Sequence, residues 1–234
     1  MNNAYQVLEE RISEWGTSND ETSFAFQTVK GEPEKLVLFD PGAEVDFVFR
    51  HTSDLDHIIN NGRIPEGFQR GVRMLLDKTG NGHLIIPQTT TIPRTPPISE
   101  RAFLQVVNMY CFASLYVAKQ ILRHDMWVAK QRDTDCKQLL LQMIEWHAKA
   151  LHGADDTWHA GKFLNEWAEQ EIVADLKKSF GEYDPHHSWA ALIVSFELFN
   201  RLSLEVAAKY KYTFPGDLFS HIQTWLEEQY DKHR

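Results

Sequence analysis

The sequence predicts an α+β chain, with a small antiparallel sheet first and a bundle of about five helices after it. Three observations predict this. The runs SFAFQTV (23–29), KLVLFD (35–40) and EVDFVFR (44–50) alternate apolar and polar residues and lie a hairpin's distance apart. The stretch PQTTTIPRTPPIS (87–99) holds four prolines in thirteen residues and has no apolar periodicity. Beyond it, apolar residues recur at helical spacing to the C-terminus. The predicted organisation is an α+β part at 1–90, a Pro-rich linker at 91–98 and a helical part at 99–234.

The elements follow in order. Val7, Leu8, Ile12 and Trp15 give residues 1–15 a rough helical stripe, and GTSND (16–20) reads as a loop. KGEPEK and PGA separate the three strands, which makes an antiparallel meander and not a βαβ series. HTSDLDHIINNG holds a short helix, with Ser53 or Thr52 as its N-cap. The stretch RMLLDK inside GFQRGVRMLLDKTGNGH fits strand or helix equally. Helices are predicted at 99–124, 134–152, 161–180, 187–210 and 215–232. Ser99 and Glu100 start the first, Pro185 and the following His pair start the fourth, and Phe214-Pro215-Gly216 breaks between the last two.

Composition narrows the function classes. With 234 residues, 43% hydrophobic and 24% charged, the chain can bury a sizeable core. No stretch approaches the run of about 18 apolar residues that spans a membrane. The N-terminus lacks the basic and apolar regions of a secretory signal, so a cytoplasmic location is expected, with no membrane partner. The two cysteines, Cys111 and Cys136, sit in apolar helical patterns and read as buried free thiols. The net charge of −9 and the want of a basic stripe argue against nucleic acid. An acidic balance suits a cationic small-molecule partner. A monomer or a homodimer is compatible with all of this.

Candidate residues each have a bland reading beside the chemical one. Asp46 lies mid-strand among β-branched and aromatic residues, as a solvated outer-face carboxylate or as a ligand for a hard cation. Asp77 and Lys78 read as a charge pair at a loop edge. Among the eleven histidines, His147 and His152 are five apart, about 100° away from the i,i+4 spacing that puts two ligands on one helical face. Solvated or capping roles therefore suit them better than a metal site. The helical aromatics, Phe112 and Trp127 among them, fall at core spacing. No GxSxG, GxGxxG or P-loop spacing occurs.

Taken in order, VDFVF, LLDKTG, the helix YVAKQILRHD and the helix end LFNRLSLEVAAKYKYTFP form a specific series. This series resembles the aminoglycoside 6-adenylyltransferase (streptomycin adenylyltransferase) family of the polymerase-β-like nucleotidyltransferases, from about Trp15 onwards. The resemblance implies transfer of AMP from ATP to an aminoglycoside hydroxyl, with ATP and Mg²⁺ as cofactors and a cationic, aminoglycoside-like substrate. It implies three strand carboxylates around the metal. Asp46 matches the third, which makes it the catalytic and metal-ligand candidate. Asp77 and Lys78 match the family's LLDK and become candidates for nucleotide binding, as does Lys162 in a Gly-Lys stretch. Asp133 matches an acidic residue expected to face the drug.

Two departures stand out. The family's Gly-Ser turn and Asp-x-Asp pair belong upstream of Trp15, where residues 1–14 read as helix. The later DLD at Asp54 and Asp56 falls at a helix start and is a false match. In FLQVVNMYCF, Leu104, Gln105 and Met109 stand where the family carries acids. The expectation for residues 1–234 is therefore a truncated or degenerate enzyme with weak or no activity, whose hold on Mg²⁺ and ATP stays open. The alternative is a non-catalytic binding protein built on the same scaffold.

Overall fold

The computed structural model describes residues 22–27, 33–39, 42–92, 97–153, 156–157 and 159–233. The helix expected over 1–15 and the GTSND loop lie outside the described residues. The chain divides into two compact units, Met1–Pro93 and Arg94–Arg234.

The first unit is built on an antiparallel meander of β1 (Thr22–Gln27), β2 (Pro33–Phe39) and β3 (Ala43–Val48), in spatial order β1-β2-β3. The register pairs Val37 with Val45, Lys35 with Phe47 and Leu36 with Asp46. Strand alternation therefore puts Val37, Phe39, Val45 and Phe47 on one face. Val37 is buried there, and Phe39, Phe47 and Phe49 pack against it. After β3 come α1 (Thr52–Asn61) and the short α2 (Glu66–Gln69). The cap of α1 is His51, whose Nδ1 accepts from the Ser53 amide at 3.2 Å, and not the expected Ser53 or Thr52. An imidazole nitrogen there does the work of a serine hydroxyl at an N-cap. RMLLDK forms neither strand nor helix. Leu75 and Leu76 are largely exposed, so no buried face selects a period for the segment.

The second unit is helical: α3 (Glu100–Leu122), α4 (Met126–His152), α5 (Leu164–Trp167), α6 (Gln170–Lys178), α7 (Pro185–Tyr210) and α8 (Gly216–His233). Helix α3 packs on α4, α7 and α8, and α7 packs on α4, α6 and α8 as well. Their shared core includes Phe103, Tyr110, Leu140, Met143, Phe196 and Phe199. Tyr110 and Phe199 stack face to face with centroids 3.7 Å apart, and the Tyr110 hydroxyl lies 2.9 Å from Ser195 Oγ. Ser99 caps α3 as the sequence predicts, accepting from the Ala102 amide at 3.2 Å. Both cysteines are free and buried, and burial pushes each thiol up to about 12.

Three expectations change. Helix α4 starts at Met126 rather than 134, because Ala129 continues the narrow buried stripe of Cys136, Leu140 and Met143 through the polar KQRDTD run. The helix expected over 161–180 is broken in two. Gly161 and Phe163 take left-handed backbone, and Ala168 and Glu169 are extended between α5 and α6. Phe112 and Trp127 do not join the core and are 66% and 75% exposed. Among the described residues no helix is long and apolar enough to cross a membrane.

Candidate functional site

Asp46 is exposed on β3. It lies on the sheet face opposite Val37, together with Glu44 on its own strand and Leu36 and Leu38 across the ladder. Two residues apart on a strand, Glu44 and Asp46 project to the same side. The sequence reading attended to Asp46 alone. The alternation that placed it would also have found Glu44.

Asp77 organises its own loop. Its Oδ1 accepts from the Thr79 amide at 2.9 Å, the Thr79 hydroxyl at 2.8 Å and the Gly80 amide at 3.0 Å. Its Oδ2 accepts from the Gly82 amide at 2.7 Å. These donors, Gly82 first, hold the carboxyl below the usual aspartate value. Gly82 is required here, because a Cβ would stand 2.9 Å from Asp77 Oδ2 and 2.6 Å from Met74 Cε. Lys78 is left exposed beside this fixed turn.

In the helical unit, a cavity of about 450 Å³ opens between α4, the 161–164 segment and the end of α6. Lys130, Asp133 and Lys137 line it with Leu141, Leu164 and Phe180. Lys137 Nζ donates to Asp133 Oδ1 at 2.7 Å and sits 5.4 Å over the Phe180 ring. Lys130 Nζ donates to the Gly181 carbonyl at 2.6 Å, and burial lowers its pKa. Gly161 also lines the cavity, while Lys162 next to it is exposed and its carbonyl accepts from Trp167 Nε1 at 2.9 Å. The structure thus brings Asp133 and the Gly161-Lys162 turn to one neighbourhood. The two lysines of the cavity wall were not singled out by sequence. Lys130, Asp133 and Lys137 do lie at the i,i+3 and i,i+4 steps of one helical face.

On α3, Leu104, Gln105 and Met109 border a shallow depression with Glu100, Arg101 and Asn108. The face is uncharged at the positions FLQVVNMYCF places there, and Met109 and Phe112 are exposed along it.

The histidines hold a surprise. His147, His152 and Glu169 bring ligand-type atoms within 4.8 Å of one another. Residues 147 and 152 fall at the end of α4, and Glu169 arrives from the extended step before α6. Counting positions along a single helix could not reveal a third partner from the next element.

An antiparallel meander in one unit and helices in the other make an α+β architecture. The solved structure of an aminoglycoside 6-adenyltransferase from Bacillus subtilis is similar in fold, with a TM-score of 0.53 and 16% sequence identity over 89% of this chain and 78% of that one. Residues 12–229 match the family model described as streptomycin adenylyltransferase, and the chain belongs to that family. An aminoglycoside 6-adenylyltransferase from Staphylococcus aureus is 23% identical over 199 residues, spanning 84% of this chain and 68% of that protein.

Proposed function

We propose that this chain is an adenylyltransferase of the aminoglycoside-modifying type, transferring AMP from ATP to a hydroxyl of a cationic, aminoglycoside-like acceptor with release of pyrophosphate. The observation that carries the reading is the family match over residues 12–229, within which Asp46 is exposed on β3. The named activity of the Staphylococcus aureus relative supports it.

Asp46 and Glu44 offer hard oxygen donors on one open strand face, which fits a cation such as Mg²⁺ that takes one or two carboxylates and fills its sphere with water and phosphate oxygens. When bound, Mg²⁺ would neutralise charge on the transferring phosphoryl group. Asp46 orients the nucleotide in this reading. Lys78 supplies a point charge for phosphate oxygens, and Asp77 fixes the turn that carries it. Lys162 is a second cation for the nucleotide, and Asp133 faces the acceptor.

A second reading, a non-catalytic binding protein, is favoured by one feature. Asp133 is already neutralised by Lys137, and Lys130 lines the same wall, so the cavity does not present a free carboxylate to an ammonium group. One assay separates the two. Pyrophosphate release from Mg²⁺–ATP with streptomycin should be measurable and should fall at least about 100-fold in Asp46→Ala, as expected for loss of a metal-bound carboxylate. Absence of any Mg²⁺-dependent pyrophosphate release would reject the first reading and support the second.

A further inference from the structure

We propose that His147, His152 and Glu169 form a site for a divalent metal ion of the zinc type, separate from the nucleotide chemistry. The carrying observation is a buried orphan. His147 is 1% exposed, and its Nδ1 has no hydrogen-bond partner among the described residues. Its other nitrogen, Nε2, lies 2.6 Å from Glu205 Oε2. A carboxylate there accepts from Nε2–H, which leaves Nδ1 as an unprotonated lone pair. A buried lone pair with no donor is costly. A metal ion would satisfy it.

The surroundings suit that role. His152 and Glu169 bond to each other beside His147 and complete a cluster whose ligand-type atoms lie within 4.8 Å of one another. Two imidazoles and one carboxylate, with an open fourth position, are a set that zinc accepts. Imidazole donors also favour Zn²⁺ over Mg²⁺. Zinc bonds of about 2.0–2.2 Å place donors roughly 3.4 Å apart, so the cluster must tighten slightly. The two groups that must move are the exposed ones, His152 at 50% and Glu169 at 38% side-chain exposure, while buried His147 stays fixed. Glu205 then holds the His147 ring in the required tautomer, the outer-shell arrangement that metal-bound histidines use. The proton shared by His152 Nε2 and Glu169 leaves to His152 Nδ1 or to solvent when metal binds. The ion would tie the end of α4 to the start of α6, closing the segment that contains Gly161 and Lys162.

The test uses the full, untagged chain after chelator treatment, with Co²⁺ and Zn²⁺ as probes and no nucleotide or acceptor present. We expect one equivalent of Co²⁺ to give a visible d–d absorption that Zn²⁺ abolishes, and Zn²⁺ to raise Tm. His152→Ala and Glu169→Gln should weaken Co²⁺ binding at least about 100-fold, and Glu205→Gln about 10- to 100-fold. All three altered side chains are partly exposed, so the metal-free variants should keep the wild-type Tm to within about 2 °C. No Co²⁺ band, or a band unchanged in His152→Ala, overturns the proposal. Either result leaves the adenylyl-transfer reading untouched.

Discussion

Lys137 lies 2.7 Å from Asp133 in the cavity wall of the helical unit, with only 9% and 18% of the two side chains exposed. Ser195 Oγ is a further contact at 3.5 Å. An ammonium held this way relies on its one carboxylate. Asp133→Ala should therefore destabilise the unit by about 3 kcal/mol in urea unfolding, because it strands a charge beside Lys130. Adding Lys137→Met should restore most of that loss, since a packed apolar pair replaces an ion pair at little cost. The double variant also isolates the acceptor role. If Asp133 faces the drug, streptomycin binding stays weak although stability returns. Normal binding in the double variant would mean that Asp133 is purely structural.

The Asp77 loop makes a prediction about acid. Hydrogen bonds from Gly82, Thr79 and Gly80 depress its pKa below the ordinary 3.8. A depressed carboxylate contributes stability that is full above its unfolded value and is lost as pH falls through the folded one. Amide exchange at Gly82 should thus stay protected down to about pH 4 and accelerate below it. Asp77→Asn should expose that amide at neutral pH, because an NH₂ group faces donors it cannot accept. Unchanged protection in the variant would show that the loop does not depend on the carboxylate.

The core offers a sharper number. Tyr110 is fully buried, and its hydroxyl meets Ser195 across 2.9 Å. Tyr110→Phe leaves the stack on Phe199 intact and removes one buried hydrogen bond, which should cost about 1–2 kcal/mol. Phe199→Ala removes the ring partner itself and should cost about 3–5 kcal/mol. Chemical denaturation with an unchanged m-value would check both. Equal losses would mean that the stack adds nothing beyond the hydroxyl.

These sites differ in how far the sequence announced them. The meander was legible because Val37 and Phe39 on one strand, and Val45 and Phe47 on the next, are each two residues apart, the spacing that puts side chains on one face of a strand. Helices α3, α7 and α8 were legible for the same kind of reason at the longer period. The break between α5 and α6 was not. Leu164, Trp167 and Ile172 keep an apolar rhythm across the extended Ala168-Glu169 step, and rhythm does not report backbone conformation. Trp127 misled in the opposite way: its position is helical, but it points to solvent. The Asp133–Lys137 pair follows i,i+4 spacing, whereas Glu169 beside His152 needs the whole turn between α4 and α6. Contacts made within one element can be read from a sequence, and contacts between elements need the path of the chain.

The start of α7 gives the last prediction, on stability near neutral pH. Asp184 is the N-cap, accepting from the His187 amide at 3.0 Å, and it also bonds the His187 ring. That side-chain bond, then the carboxylate's charge, raises the His187 pKa above 6.5. Glu182, 3.7 Å away, pushes the same way, while the charge of Lys130 opposes. A raised histidine contributes stability that is complete below its unfolded value and is lost as pH rises through the folded one. The bonds of His187 hold Asp184 below 3.8, so its contribution is present above that value and disappears only as pH falls further. Tm of the wild type should therefore drop between about pH 6 and pH 8, and His187→Gln should flatten this drop while keeping the backbone cap. Asp184→Ala should lower Tm by about 2–4 °C, the loss of one helix cap in a chain of this size, and should also abolish the slope. A slope that survives in Asp184→Ala would place its origin outside the Asp184–His187 pair.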